Sequence, residues 1–180
     1  EDTFDTARSS IIVALNSGRV LYENNADEVR LIASITKIMT CIIAIEEGDL
    51  DKEIKAGEEI LKMYGTSIYL ELNEKMKLID LLYGLMLRSG NDASVVIAKA
   101  VAGSEEEFVK MMNEKAKEIG MTNTTFSNPH GLDEETKNYS TARDMAKLSR
   151  YTYKNKTYRK IIGTEEYRVK TDNKSYLWYN

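Results

Sequence analysis

The sequence predicts an α+β domain, an antiparallel sheet flanked by helices plus an all-helical lobe, with the sheet incomplete in this chain. Three observations carry that expectation. β-rich runs joined by turn formers open the chain, apolar repeats of period three to four fill its middle, and alternating aromatic sequence returns at its end. Strands, then helices, then strands draw a sheet from both chain ends, so residues 1–30 and 156–180 are assigned to its sheet side and 31–155 to a mainly helical side. The 180 residues are enough for one domain with a real core, read as one truncated domain.

The first element is a hairpin. Ser10-Ile11-Ile12-Val13-Ala14-Leu15 and Val20-Leu21-Tyr22-Glu23 are strand-like, and Asn16-Ser17-Gly18-Arg19 supplies the turn between them. From Ser34 the period changes. Ile35, Ile38, Met39, Ile42 and Ile45 recur at three and four until Gly48, which reads as a buried helix of about four turns. Tyr69-Leu70-Glu71-Leu72 and Met76-Lys77-Leu78 flank Asn73-Glu74-Lys75, and asparagine tolerates the left-handed backbone of a tight turn, so a second small hairpin is expected there. Helices follow over 78–87, 92–102 and 105–119, the last two ended by Gly103 and Gly120. Ser104 with Glu107 has the capping-box spacing, and Thr141 with Asp144 starts a fourth helix, to about Tyr153. Tyr167-Arg168-Val169-Lys170-Thr171 alternates as a strand does.

Composition removes several function classes. A net charge of -4 and 30% charged residues leave no basic face for nucleic acid. The longest nearly apolar run, residues 38–45, is far short of the roughly 18 that a membrane span needs. Membrane association is therefore assigned to segments outside this sequence. One cysteine, Cys41, allows no internal disulfide. One histidine, His130, leaves too few soft ligands for a zinc site, and no cofactor or metal is expected.

Two short stretches carry chemistry. Ser34 and Lys37 stand at i and i+3, so on a helix the lysine amine reaches toward the serine hydroxyl. A serine at a helix start sits where orphan N–H groups and the dipole favour developing negative charge. A lysine partly buried beside the apolar run loses proton affinity and becomes a base. The competing reading makes Ser34 a cap and Lys37 a solvated side chain. In "LRSGNDAS", residues 87–94, a helix stops in a Ser-Gly-Asn turn and another begins at once. Either this is a helix–helix connection capped by Asp92, or Ser89 and Asn91 present a hydroxyl and an amide to a cleft shared with Ser34 and Lys37.

Ser34-x-x-Lys37 followed by Ser89-Gly90-Asn91, together with "IASITKIMT", "LLYGLMLRSGNDAS", the pattern from Gly103 to Phe126, and Asn128-Pro129-His130-Gly131-Leu132, resembles the penicillin-recognising serine enzymes. The resemblance is closest to the low-molecular-weight D-alanyl-D-alanine carboxypeptidases and covers nearly the whole chain. It implies Ser34 as acyl-enzyme nucleophile, Lys37 as general base, Ser89 as proton relay to the leaving amine, and Asn91 as hydrogen-bonding partner of substrate and lysine. It also implies a peptidoglycan stem peptide ending in D-Ala-D-Ala as substrate, β-lactam antibiotics as acylating mimics, and a place outside the cytoplasm in the bacterial envelope. A β-lactamase and a non-catalytic module sensing β-lactam or peptidoglycan are the alternatives. No proline precedes Ala33, and Asn73 stands where a glycine is usual. The family's Lys-Thr-Gly strand is absent. Lys170-Thr171-Asp172 is a poor substitute, because Asp172 sets bulk and negative charge beside a substrate carboxylate. The chain is therefore expected to be a fragment with one wall of its cleft open.

The remaining candidates are read as structural. His130 lies in a rigid Asn-Pro-His-Gly turn, and Cys41 is a small buried residue beneath the site. Glu134 and Asn138 have the Glu-x-x-x-Asn spacing of a β-lactamase deacylating loop but fall in an acidic stretch read as solvated. The C-terminal tyrosines are assigned to sheet packing rather than to base stacking.

Overall fold

The computed structural model describes residues 6–180, so the first five residues of the expected sheet side lie outside the described residues. Strands β1 (Ser10–Val13) and β2 (Val20–Asn24) form the expected hairpin, with Ser10 opposite Asn24 and an irregularity between Ile12 and Val13. Its turn closes through Ala14 N–H to Arg19 O at 2.9 Å and Gly18 N–H to Ala14 O at 2.8 Å. A short strand β3 (Arg30–Leu31) leads into a 3-10 turn, Ala33–Ile35, and helix α1 (Thr36–Glu47). Then come β4 (Glu53–Lys55), a second 3-10 turn at Glu58–Lys62, β5 (Lys75–Lys77) and the helices α2 (Leu78–Arg88), α3 (Asn91–Ala102) and α4 (Glu105–Ile119). The chain continues with β6 (Tyr139–Ser140), α5 (Ala142–Tyr153), α6 (Lys156–Ile162), β7 (Glu166–Lys170) and β8 (Ser175–Tyr179).

Local sequence explains most of these boundaries. The Ser104 hydroxyl accepts from Glu107 N–H and the Thr141 hydroxyl from Asp144 N–H, each satisfying an orphan donor at a helix start. Helix α1 is buried on nearly every side, with Met39, Cys41, Ile42 and Ala44 at 0% exposure, and it packs against α2 to α6. α3 supplies Ala93, Val95, Val96, Ile97 and Ala98 to the same core. Burial of this much aliphatic surface, at about 25 cal/mol per Å², is what holds the helical side together.

Three expectations are corrected. The hairpin between 69–72 and 76–78 does not form, because β5 pairs with β4, setting Ile54 opposite Met76. Asn73 does turn left-handed, at φ 68°, but its N–H and the Glu74 carbonyl bond the backbone of Ala56, which continues the β4 pairing. Residues 68–70 are meanwhile drawn off to the Asp92 carboxylate. Second, α6 occupies a stretch read as sheet sequence. The Asn155 side chain caps it by accepting from Tyr158 N–H, and Tyr158 and Ile161, three apart, bury one face. Third, the strands of the two chain ends do not join in one sheet among the described residues. Four separate two-stranded ladders form, β1–β2, β3–β6, β4–β5 and β7–β8.

The C-terminal aromatics do pack as sheet residues. The Tyr167 ring stacks on Tyr83 of α2 at 3.6 Å between centroids, and Trp178, 4% exposed, lies against Tyr167 and Tyr176. The turn after β7 is tied down by Glu74, a buried carboxylate that accepts from Tyr176 Oη at 2.7 Å and from Thr171 Oγ1 at 2.5 Å.

Candidate active site

Ser34 lies in the 3-10 turn that precedes α1 rather than in the first α-helical turn, and its side chain is exposed. The residue before it, Ala33, has φ 45°, a left-handed conformation that a non-glycine residue adopts only when its surroundings impose it. Neither the 3-10 turn nor α1 has a side-chain cap, so Ser34 is not spent on capping. Lys37 is 3% exposed, and burial lowers its pKa to about 8. Both halves of the competing reading, a capping serine and a solvated lysine, therefore fail.

The pocket wall that buries Lys37 comes from residues 127–138. β3 pairs antiparallel with β6, Arg30 opposite Ser140, which lays this segment beside the start of α1. The Lys37 Nζ donates to His130 O at 2.8 Å, and Thr40 Oγ1 donates to Pro129 O at 2.7 Å. Gly131, at φ 91°, is pressed against the serine turn: a Cβ there would stand 2.1 Å from Ala33 O and 3.1 Å from Ser34 N. Only glycine fits that approach. His130 is uncharged in the neutral range, since burial and the neighbouring Lys37 charge lower its pKa to about 4. Its Nδ1 accepts from Leu132 N–H at 3.0 Å, so the imidazole braces the turn, in keeping with a structural role.

The Ser89–Asn91 turn is braced from a third segment. Ser89 ends α2 in the left-handed conformation, φ 53°, and its carbonyl accepts from Thr66 Oγ1 at 2.6 Å. Asn91 is 3% exposed. Its backbone N–H donates to Thr66 O at 2.9 Å and its Nδ2 to Tyr64 O at 2.8 Å, while Oδ1 is buried without a hydrogen-bond partner. A buried amide oxygen left open costs about 1–3 kcal/mol and suits an incoming N–H donor. Asp92 takes the amides of Ile68, Leu70 and Ala93 on its carboxylate, which fixes the 64–70 segment to the start of α3. Gly65 joins the two halves, since a Cβ on it would lie 3.0 Å from Asn91 Nδ2 and 3.8 Å from Leu132 Cδ2. No hydrogen bond links Asn91 to Lys37, whose amine is bonded to His130 instead.

Two sequence candidates separate. Glu134 is exposed, whereas Asn138 is 3% exposed and wholly engaged inside the protein, so the solvated reading holds for the glutamate and not for the asparagine. Asn128, Gly131, Asn138 and Asp92 shape the site and were not singled out as site residues. Only the Asn-Pro-His-Gly turn signal pointed toward the first two. Thr171 is bonded to Glu74 and so cannot present its hydroxyl as a Lys-Thr-Gly strand does. Cys41 is fully buried, and burial raises its thiol pKa, consistent with packing beneath the site.

A family model described as D-alanyl-D-alanine carboxypeptidase, peptidase S11, matches residues 3–180. The D-alanyl-D-alanine carboxypeptidase DacF of Bacillus subtilis is 43% identical over 178 residues, covering 95% of this chain and 46% of that protein. Among solved structures, the D-alanyl-D-alanine carboxypeptidase of Mycobacterium tuberculosis superposes with a TM-score of 0.92 at 28% identity, over 97% of this chain and 66% of that one. Penicillin binding protein 5 of Haemophilus influenzae does so with a TM-score of 0.86 at 30% identity, over 97% and 52%. The chain thus spans about half the length of the curated relatives it matches.

Proposed function

Because the chain belongs to the D-alanyl-D-alanine carboxypeptidase family of peptidase S11, we infer that it carries a serine-type site that removes the terminal D-alanine from peptidoglycan stem peptides. The observation that supports this reading is a buried, hydrogen-bonded Lys37, whose pKa of about 8 makes a neutral amine available, three residues after an exposed Ser34. In the first step Lys37 takes the Ser34 proton as the oxygen attacks the carbonyl of the penultimate D-alanine. The resulting oxyanion collapses, the C–N bond breaks, and the leaving amine receives a proton relayed from Lys37 through Ser89. Water then attacks the acyl-serine, its proton returns by way of Lys37 to the Ser34 oxygen, and the shortened peptide leaves. The open Oδ1 of Asn91 accepts an N–H of the bound peptide. Penicillins acylate the same oxygen through their strained amide.

Such a substrate belongs to the cell wall, which supports action outside the cytoplasm. No helix among the described residues is long and apolar enough to cross a membrane. The β-lactamase alternative gains nothing from Glu134 and Asn138, which point to solvent and to the interior respectively. Labelled penicillin followed by peptide mapping tests the reading. In an acylation-competent form of the protein one penicilloyl group is expected on Ser34, and Ser34→Ala is expected to abolish labelling while the protein stays folded, because the serine makes no capping bond. Label on Ser89, or label persisting in the alanine variant, overturns the assignment.

A further inference from the structure

Asn138 lies inside the fold with every side-chain position engaged. Its Oδ1 accepts from Ser127 N–H at 2.6 Å and Asn128 N–H at 3.1 Å. Its Nδ2 donates to Thr36 Oγ1 at 2.9 Å, to Asn128 O at 3.0 Å and to Asn128 Oδ1 at 3.1 Å, and its backbone carbonyl accepts from Ile32 N–H at 3.3 Å. Asn138 therefore holds the chain on both sides of Ser34, Ile32 by its backbone carbonyl and Thr36 by its side-chain amide, and that amide also holds the loop that covers Lys37. The grip continues through Asn128, whose Oδ1 accepts from His130 N–H at 3.2 Å and Gly131 N–H at 2.7 Å and whose Nδ2 donates to Leu132 O at 2.9 Å. His130 O is the acceptor that holds Lys37 Nζ.

We propose that Asn138 is a positioning residue for the acylation step: acting through Asn128 and Thr36, it sets the His130 carbonyl against Lys37 and keeps water away from the lysine amine. This rests on the reading of Lys37 as base. Asn138 touches neither Lys37 nor, in this arrangement, anything that reacts. A fully satisfied buried amide network of this kind has one low-energy geometry, because any shift strands a polar group. The loop thereby behaves as a rigid lid on the lysine rather than as a mobile connection.

The charged and titratable surroundings of Lys37 are sparse, which is why the lid matters. From the loop, His130 faces it as a neutral imidazole. At the start of α3, Asp92 spends its carboxylate on three backbone amides. Burial alone depresses the lysine. If the loop loosens, water reaches the amine and its pKa climbs back toward the ordinary lysine value, so the base is protonated at neutral pH.

Two variants test this, with two readouts. In Asn138→Ala, penicillin acylation at about pH 7.5 is expected to slow roughly 10- to 100-fold and to recover most of that loss at about pH 10, where the amine deprotonates regardless. The Lys37 ammonium, followed by side-chain NMR titration, is expected to titrate at least about one unit higher than in the parent protein. Thr36→Val removes only the acceptor on α1 and is expected to move both readouts in the same direction by a smaller amount. It decides the matter if Asn138→Ala does not fold. Variants that fold yet leave both the acylation pH profile and the Lys37 titration within twofold of the parent overturn the proposal, as does a loss of rate that is equal at every pH. A Lys37 titration that moves while the parent protein takes up no penicillin at any pH sinks the carboxypeptidase reading and with it the role in acylation, and leaves only the effect of Asn138 on the lysine amine.

Discussion

At the scale of single residues the decisive quantity is the cost of burying Lys37. Its pKa of about 8, against an ordinary 10.5, means that the folded protein holds the charged amine at a penalty on the order of 3 kcal/mol. Below about pH 8 folded and unfolded chains both carry the proton and the penalty is complete; between 8 and 10.5 the unfolded chain still holds a proton that the folded one has shed, so stability rises with pH. Lys37→Met should therefore stabilise the protein at neutral pH by about 1–2 kcal/mol while removing acylation, and the gain should shrink steadily toward pH 10.5. Urea melts at a series of pH values check this. A methionine variant less stable than the parent at neutral pH would mean that the lysine is not desolvated. Gly131 makes the complementary point. A methyl group there collides with the Ala33 carbonyl, so Gly131→Ala should cost at least about 2 kcal/mol and displace Ser34, with loss of labelling larger than loss of fold.

Elements, in turn, are held in place by a few buried polar side chains rather than by long ladders. The β7–β8 hairpin has no neighbour in a sheet among the described residues, and a lone hairpin is marginal in water. It is held by Val169, Tyr176 and Trp178, which bury one face against α2, and by the Glu74 carboxylate at its turn. Removing the tyrosine hydroxyl leaves Glu74 buried with fewer donors, so Tyr176→Phe should destabilise by about 1.5–3 kcal/mol despite the loss of only one atom. Because the same loop runs from Glu74 back to the 64–70 segment behind Asn91, acylation should fall in parallel. Thermal denaturation with and without the substitution reads the first effect, and a change under about 0.5 kcal/mol would show that Glu74 finds other partners. The 69–78 region shows how such contacts redirect an element: the local signals for a hairpin are genuine, but Asp92 and Ala56 bind its backbone first.

For the whole molecule, stability is concentrated in the helical side. α1, α2 and α3 share a core whose members are almost all under 5% exposed, whereas every residue of β1 and β2 is half-buried or exposed. Amide exchange should accordingly be slowest along α1 and α3 and fastest in the β1–β2 hairpin, with β7–β8 between them. Equal protection in β1–β2 and α1 would show that the hairpin is part of the same cooperative unit. The site straddles this gradient, its lysine rooted in α1, its serine in the 3-10 turn that leads into it, and its covering loop held by side-chain amides.

The sequence by itself determined helices α1 to α5, the caps at Ser104 and Thr141, the first hairpin and the serine–lysine spacing, because periodicity, capping and i, i+3 spacing are written within a few residues. It also marked Ser89-Gly90-Asn91 as a turn between helices. Tertiary structure alone decided that Lys37 is dry, that Asn91 keeps an open oxygen, that β5 turns to β4, and that Asn138 is a buried hub rather than part of a solvated acidic loop. The bonds responsible join residues 93 and 102 positions apart. No local pattern encodes a partner at that separation: which carbonyl meets Lys37, and which amide meets Thr36, is set only when the core of α1 to α6 closes and brings β3 and β6 together.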